Sequence, residues 1–100
     1  MIAEFKVVPL GSGESLSSYV AECVKIVDKS GLDYELTPMS TIIEGSLDDV
    51  LGVIKACHLK VREMSDRVVT SVEMDDRKNA KDEIRRKVQS VERKLKATGR

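Results

Sequence analysis

The spacing of apolar side chains along the chain constrains its fold more than any single motif does. Four stretches alternate apolar and polar residues, which is typical of β-strands, and three repeat apolar residues every three or four positions, which is typical of α-helices. The predicted strands are 1–10, 33–37, 41–45 and 67–75, and the predicted helices are 16–29, 47–64 and about 80–95. The first six elements follow the order β-α-β-β-α-β. We therefore predict an α+β, ferredoxin-like domain with a four-stranded antiparallel sheet and an additional C-terminal helix.

Length and composition exclude several classes of protein. One hundred residues give one domain, 1–100, with a single modest core. A formal net charge of zero argues against binding nucleic acid by neutralising phosphates. Phe5, Tyr19 and Tyr34 are too few aromatic residues for a base-stacking surface. Neither a bilayer-spanning apolar run nor a signal-peptide pattern is present, so we expect a cytoplasmic protein.

Residues that could carry metal or redox chemistry are sparse. Cys23 and Cys57 fall on apolar faces of two predicted helices, and buried free thiols are favoured over a disulfide or a metal site. His58 lies beside the apolar stripe of its helix and has no second histidine, so we interpret it as a boundary residue. We predict neither a metal site nor a cofactor.

The helix ends carry recognisable signals. Ser15, or alternatively Ser17, is predicted to cap the first helix, and Gly31 to end it in a left-handed conformation. Ser46 begins a capping box for the second helix. The segment 11–13, Gly-Ser-Gly, is interpreted as a turn, because the spacing and the lysine of a phosphate-binding loop are missing.

One face of the predicted sheet is left uncovered. Right-handed crossovers place both core helices on the same side. By alternation, the other side carries Glu4, Lys6, Val8, Thr37, Met39, Ile42, Glu44, Val69, Ser71 and Glu73. This mixed surface can be exposed to solvent, pack on a second copy of the chain or bind a ligand. Because an unpaired carboxylate in an apolar strand is energetically costly, we expect Glu44 to interact with a bound ligand or with a second copy of the chain.

The C-terminal helix has a narrow apolar seam. Ile84, Val88, Val91 and Leu95 recur at spacings of four, three and four, the width of a coiled-coil seam. Such a seam is too thin to stabilise the helix alone, so it needs a partner surface. Docking on another subunit is favoured over folding back, which predicts a closed homo-oligomer.

Several segments resemble a known family. They are 1–5, 7–11, 19–22, 30–32, 37–45, 57–58, 69–71, 75–77 and 87–92, of which 41–45 is the most specific. Across essentially the full length, the chain resembles the small thiamine-binding proteins, long catalogued as uncharacterised conserved proteins. The resemblance implies a ferredoxin-like homotetramer that binds thiamine or its hydroxymethylpyrimidine moiety without turning it over. One difference is Ser40, where we would expect glycine.

The resemblance and the residue chemistry together suggest a ligand-binding set. Carboxylates and hydroxyls can read an aminopyrimidine, acidic residues favour the thiazolium cation, and Met39 with Ile42 would form an apolar floor. The predicted ligand-binding residues are Thr37, Met39, Thr41, Ile42, Glu44, Ser71 and Glu73.

Three other functions stay open. An enzyme could use Glu4, Glu44 and Glu73 as interacting carboxylates, but no nucleophile–base pair or metal-spaced set accompanies them. A ligand-sensing regulator would share the pocket and add a partner protein. A purely structural assembly would fill the pocket with side chains of a neighbouring subunit.

Overall fold

The computed structural model describes residues 1–11, 16–79 and 81–97 and confirms the ferredoxin-like fold. Its elements are β1 Ile2–Pro9, α1 Ser17–Lys29, β2 Asp33–Leu36, β3 Thr41–Glu44, α2 Leu47–Met64, β4 Val68–Asp75 and α3 Glu83–Ala97. The four strands form one antiparallel sheet in the order β2-β3-β1-β4. No helix in the described part of the chain is long and apolar enough to cross a membrane.

Strand register divides the side chains of the sheet between two faces. Phe5 pairs with Thr41 on β3 and with Val72 on β4, and these residues share the face covered by α1 and α2. Glu4 pairs with Ile42 and Glu73 on the opposite side, which we call the open face. The predicted alternation of the central strand is therefore correct.

The core lies between the sheet and the first two helices. Phe5, Ile43, Val27, Val50 and Val61 are almost fully buried there. Burying these side chains contributes roughly 1.5–3 kcal/mol each to the free energy of folding. The sequence pattern placed Leu16 and Val20 on the buried stripe of α1, but both are at least 40% exposed. Tyr19 takes the buried position instead, at four-residue spacing before Cys23 and Val27.

The helix ends follow the predicted chemistry in part. The hydroxyl of Ser46 accepts a hydrogen bond from the amide of Asp49 at 3.2 Å, as the capping box predicts. Gly31 has φ +76°, the left-handed conformation predicted after α1. Leu16 occupies the N-cap position of α1 without a side-chain cap. The predicted cap Ser15 and residues 12–13 of the predicted turn lie outside the described residues.

The third helix begins on the open face of its own sheet. Asn79 and Asp82 have positive φ, which delays the helix to Glu83 instead of about residue 80. The amide of Glu83 donates to Glu44 Oε2 at 2.7 Å, and that of Ile84 donates to Oε1 at 3.2 Å. The open face is therefore covered at this end, where the sequence predicted it bare. The radius of gyration is 15.5 Å, above the roughly 13 Å of a compact domain of this length.

Candidate functional site

The turn between β2 and β3 is held together by one threonine. The hydroxyl of Thr37 donates to the carbonyl of Ser40 at 2.9 Å and accepts from the amide of Ser40 at 3.0 Å. It also accepts from the amide of Met39 at 3.3 Å. Pro38 supplies the fixed φ favoured at the second position of such a turn. The hairpin therefore ends abruptly, with Met39 75% exposed at its tip.

A cleft opens beside the turn because β1 is longer than its neighbour. The pairing of β1 with β3 stops at Phe5 and Thr41, while β1 continues to Pro9. The first two turns of α1 overhang the resulting gap. The cleft has a volume of about 340 Å³, within the usual range for small-molecule sites. Its lining is predominantly apolar and comprises residues 5–9, Leu16, Val20, Cys23 and 36–41.

The main chain of Val7 faces this cleft. The amide of Leu10 donates to the carbonyl of Arg67 next to β4, and the carbonyl of Met1 accepts from the amide of Gly45 next to β3. The N–H and C=O groups of successive residues in a strand point alternately to its two neighbouring strands. Because the main chain of Met1 bonds on the β3 side and that of Leu10 on the β4 side, the main-chain groups of odd-numbered residues of β1 point toward β3. Because β3 has ended opposite Phe5, the N–H and C=O of Val7 point into the cleft.

Thr41 adds a polar side chain to the apolar wall. The residue is 7% exposed and lines the cleft. Its hydroxyl makes no hydrogen bond to any other described residue, whereas that of Thr37 is engaged in the turn. The cleft therefore offers the hydroxyl of Thr41 and the amide and carbonyl of Val7 against an apolar floor.

A smaller polar groove lies on the open face. It has a volume of about 220 Å³ and is lined by Glu4–Lys6, Ser40 and Ser71–Glu73. The hydroxyl of Ser40 donates to Glu4 Oε2 at 2.9 Å, which gives a role to the residue that departs from the expected glycine. Ser40 lines the cleft as well, so the two sites meet at the turn.

The structure separates the seven predicted ligand-binding residues into three groups. Thr37, Met39 and Thr41 line the cleft. Ser71 and Glu73 line the open-face groove, and Ile42 lies on the same face beside Glu4. Glu44 is at the other end of β3, where its carboxylate binds two amides of α3. The partner of this carboxylate thus lies in its own chain, where the sequence suggested a guest or a second copy.

Sequence reasoning missed part of the cleft. Leu16, Val20 and Leu36 were assigned to a core stripe or to a strand, and the main chain of Val7 was not considered. The signal in the sequence is the unequal length of β1 and β3. The apolar pattern of β1 continues beyond the residues with which the short β2–β3 hairpin can pair.

His58 is a boundary residue, as predicted. Its Nδ1 lies 2.6 Å from the hydroxyl of Thr70, a contact that ties α2 to β4. Among the described residues, no group of three histidine, cysteine or acidic side chains is arranged to hold a metal ion.

Comparison with known proteins identifies the family. A family model described as "Thiamine-binding protein" matches residues 3–92, nine-tenths of the chain. The chain belongs to the thiamine-binding protein family. A relative from Methanothermobacter thermautotrophicus, a UPF0045 protein, is 43% identical over 93% of this chain and 97% of its own length. The UPF0045 protein MJ1052 from Methanocaldococcus jannaschii is 39% identical over 99% of this chain and 92% of its own length.

Solved structures share the fold of this chain. The crystal structure of MJ1052 matches with a TM-score of 0.84 at 38% identity, over 90% of this chain and 93% of that chain. A candidate thiamine biosynthesis/salvage protein from Thermotoga maritima matches with a TM-score of 0.77 at 21% identity, over 90% and 96% of the two chains. At that identity, the likeness concerns the fold alone.

Proposed function

We propose that this chain binds thiamine or its hydroxymethylpyrimidine moiety, without turnover, in the cleft beside the 37–40 turn. The observation that carries the proposal is a cleft of about 340 Å³ in a member of the thiamine-binding protein family, with polar groups at its wall and an apolar floor. We place the protein in the cytoplasm as a homo-oligomer.

The polar groups of the cleft suit an aminopyrimidine. The ring presents an exocyclic amine that donates and ring nitrogens that accept hydrogen bonds. The Val7 carbonyl can accept from the amine while the Val7 amide donates to a ring nitrogen. The hydroxyl of Thr41 can serve either role, and Val20, Leu36 and Met39 bury the flat faces of the ring. The cationic thiazolium would lie toward the solvent, near the rim residue Ser40 and the carboxylate it contacts.

A pair of variants distinguishes the cleft from the open-face groove. Thr41→Val keeps the shape of the side chain but removes its hydroxyl, and Ser71→Ala removes a hydroxyl from the groove. For a neutral hydrogen bond worth about 1 kcal/mol, Thr41→Val should raise the Kd for thiamine about fivefold, while Ser71→Ala leaves it unchanged. Isothermal titration calorimetry measures both values, and thermal unfolding checks that both variants fold.

Opposite results have distinct meanings. If only Ser71→Ala binds thiamine more weakly, the binding site lies on the open face, as the sequence suggested. Absence of saturable heat with thiamine, its phosphates and the free pyrimidine would refute the function. Chromatography of thiamine after prolonged incubation tests the absence of turnover, since any new product would indicate an enzyme.

The oligomer is supported by apolar surface on α3. Val88, Val91 and Leu95 are 54%, 57% and 44% exposed on one seam of this helix. We propose that this seam packs against another copy of the chain, with a tetramer as the expected assembly. Light scattering should show a smaller species for Val91→Lys, with Gln89→Lys as a charge-matched control on the same helix. An unchanged mass for Val91→Lys would exclude the seam as the interface.

A further inference from the structure

The two cysteines lie side by side where α1 crosses α2. Cys57 Sγ is 3.6 Å from the carbonyl oxygen of Cys23, and Cys23 Sγ is 4.0 Å from that of Cys57. The two side chains therefore lie beside each other at the helix crossing. Each sulfur thus reaches the main chain of the other residue, which brings the two helices close together at this point.

The two thiols differ in access and in acidity. Cys57 is fully buried, whereas Cys23 is 7% exposed and lines the cleft. The hydrogen bond between the two side chains lowers the pKa of Cys23 and raises the pKa of Cys57. Burial adds to the increase in the pKa of Cys57. A thiolate is the nucleophile in thiol–disulfide exchange, so Cys23 is suited to react first and Cys57 second.

We propose that Cys23 and Cys57 form an intramolecular disulfide when a low-molecular-weight disulfide enters the cleft, and that the cross-link controls access to the cleft. The cross-link stands on the geometry of the thiols, whereas its effect on the ligand rests on the proposed function. The sequence alone had favoured two inert buried thiols, an interpretation that considers each cysteine by itself.

The exchange balances in two steps. The Cys23 thiolate attacks one sulfur of the small disulfide, forms a mixed disulfide and expels one small thiolate. Cys57 then loses its proton and attacks Cys23 Sγ, which forms the bond between the helices and expels the second small thiolate. The two protein thiols are oxidised, the small disulfide is reduced, and both protons pass to the released thiolates.

The consequence for the cleft follows from the position of Cys23. The new bond between the two sulfurs fixes the second turn of α1, which lines the cleft, to α2. Val20 precedes Cys23 by one helical turn and overhangs the same cleft. A bound ligand would conversely shield Cys23 from the small disulfide.

Peptide mapping tests the cross-link in the wild-type protein. The native protein is incubated with oxidised glutathione, remaining thiols are alkylated, and the sample is digested with trypsin without reduction. We expect peptides 7–25 and 56–60 to be joined, with an intact mass that shows one chain lacking two hydrogens and no adduct. Free thiols that react only in denaturant, or disulfides that join two chains, would overturn the proposal.

Two single variants test the order of attack. Cys57→Ser should retain one glutathione on Cys23, because no resolving thiol remains, while Cys23→Ser should stay unmodified. Adducts on Cys23→Ser but not on Cys57→Ser would contradict the assigned roles. If either variant fails to fold, the wild-type mapping still decides the cross-link.

Ligand protection connects the pair to the cleft. With thiamine at about ten times its Kd, the adduct on Cys57→Ser should form about elevenfold more slowly, because only the free protein reacts. An unchanged rate with bound thiamine would refute the effect on the cleft. An intact cross-link in a protein that does not bind thiamine would refute the proposed ligand and leave the cysteine pair standing.

Discussion

Replacing Glu44 with glutamine separates the capping role seen in the structure from the ligand role suggested by the sequence. The carboxylate accepts hydrogen bonds from the amides of Glu83 and Ile84, the first two residues of α3. Glutamine has a single side-chain oxygen, so one of these amides loses its acceptor. The favourable interaction of a negative charge with the start of the helix is lost as well.

The expected cost can be worked out from these two losses. Loss of an N-cap hydrogen bond costs about 1 kcal/mol, and loss of the charge at a helix N-terminus costs about 0.3–1 kcal/mol. The free energy of unfolding should therefore fall by about 1.5 kcal/mol. With a urea dependence of about 1.5 kcal/mol/M, the unfolding midpoint should fall by about 1 M.

The assay is urea denaturation followed by far-ultraviolet circular dichroism. Glu73→Gln is the matched control, because Glu73 is an exposed carboxylate on the same sheet face. It should change the midpoint little, as surface substitutions usually contribute within 0.5 kcal/mol. Equal midpoints for the two variants would refute the capping role. Weaker thiamine binding by Glu44→Gln at unchanged stability would instead support the ligand role predicted from the sequence.

Three further perturbations have defined outcomes. Lys87→Met removes the partner of Asp75, whose pKa is lowered by the hydrogen bond and the charge of that lysine at 2.5 Å. A carboxyl group whose pKa is lower in the folded than in the unfolded state stabilises the folded protein at pH values above its unfolded pKa. The difference in melting temperature between wild type and variant should therefore be full above about pH 4 and vanish as the pH falls further. A difference that stays constant with pH would contradict this. Gly31→Ala should destabilise by about 1 kcal/mol in urea titrations because of its positive φ. Gly52→Ala, inside α2 with open space around the added carbon, should stabilise by about 1 kcal/mol, and the reverse order of these two variants would refute the argument.

The fold could be predicted from the sequence because each element has its own local signal. The Ser46 capping box and the left-handed Gly31 define helix ends through contacts within a few residues. The alternation in β1 assigned its side chains to the correct faces. These features depend on residues near each other in the chain, which is the range that periodicity describes.

The candidate site could be predicted only in part, because it depends on contacts between distant residues. Thr37, Met39 and Thr41 were identified, but the cleft exists because β1 extends beyond β3, a property of strand pairing that no single segment shows. Glu44 is 39 residues from the amide it caps at Glu83. The sequence showed that this carboxylate needed a partner, but local patterns could not show that α3 supplies it.

The unequal lengths of β1 and β3 have a consequence for how binding could change in related chains. Lengthening the hairpin by two residues on each strand would let Val7 pair with β3 and close the space beneath α1. Shortening it would widen the same space and remove the last pair between the two strands, Phe5 with Thr41. Insertions and deletions near Pro38 would thus alter the size of the ligand that fits the cleft, while the rest of the fold stays as it is.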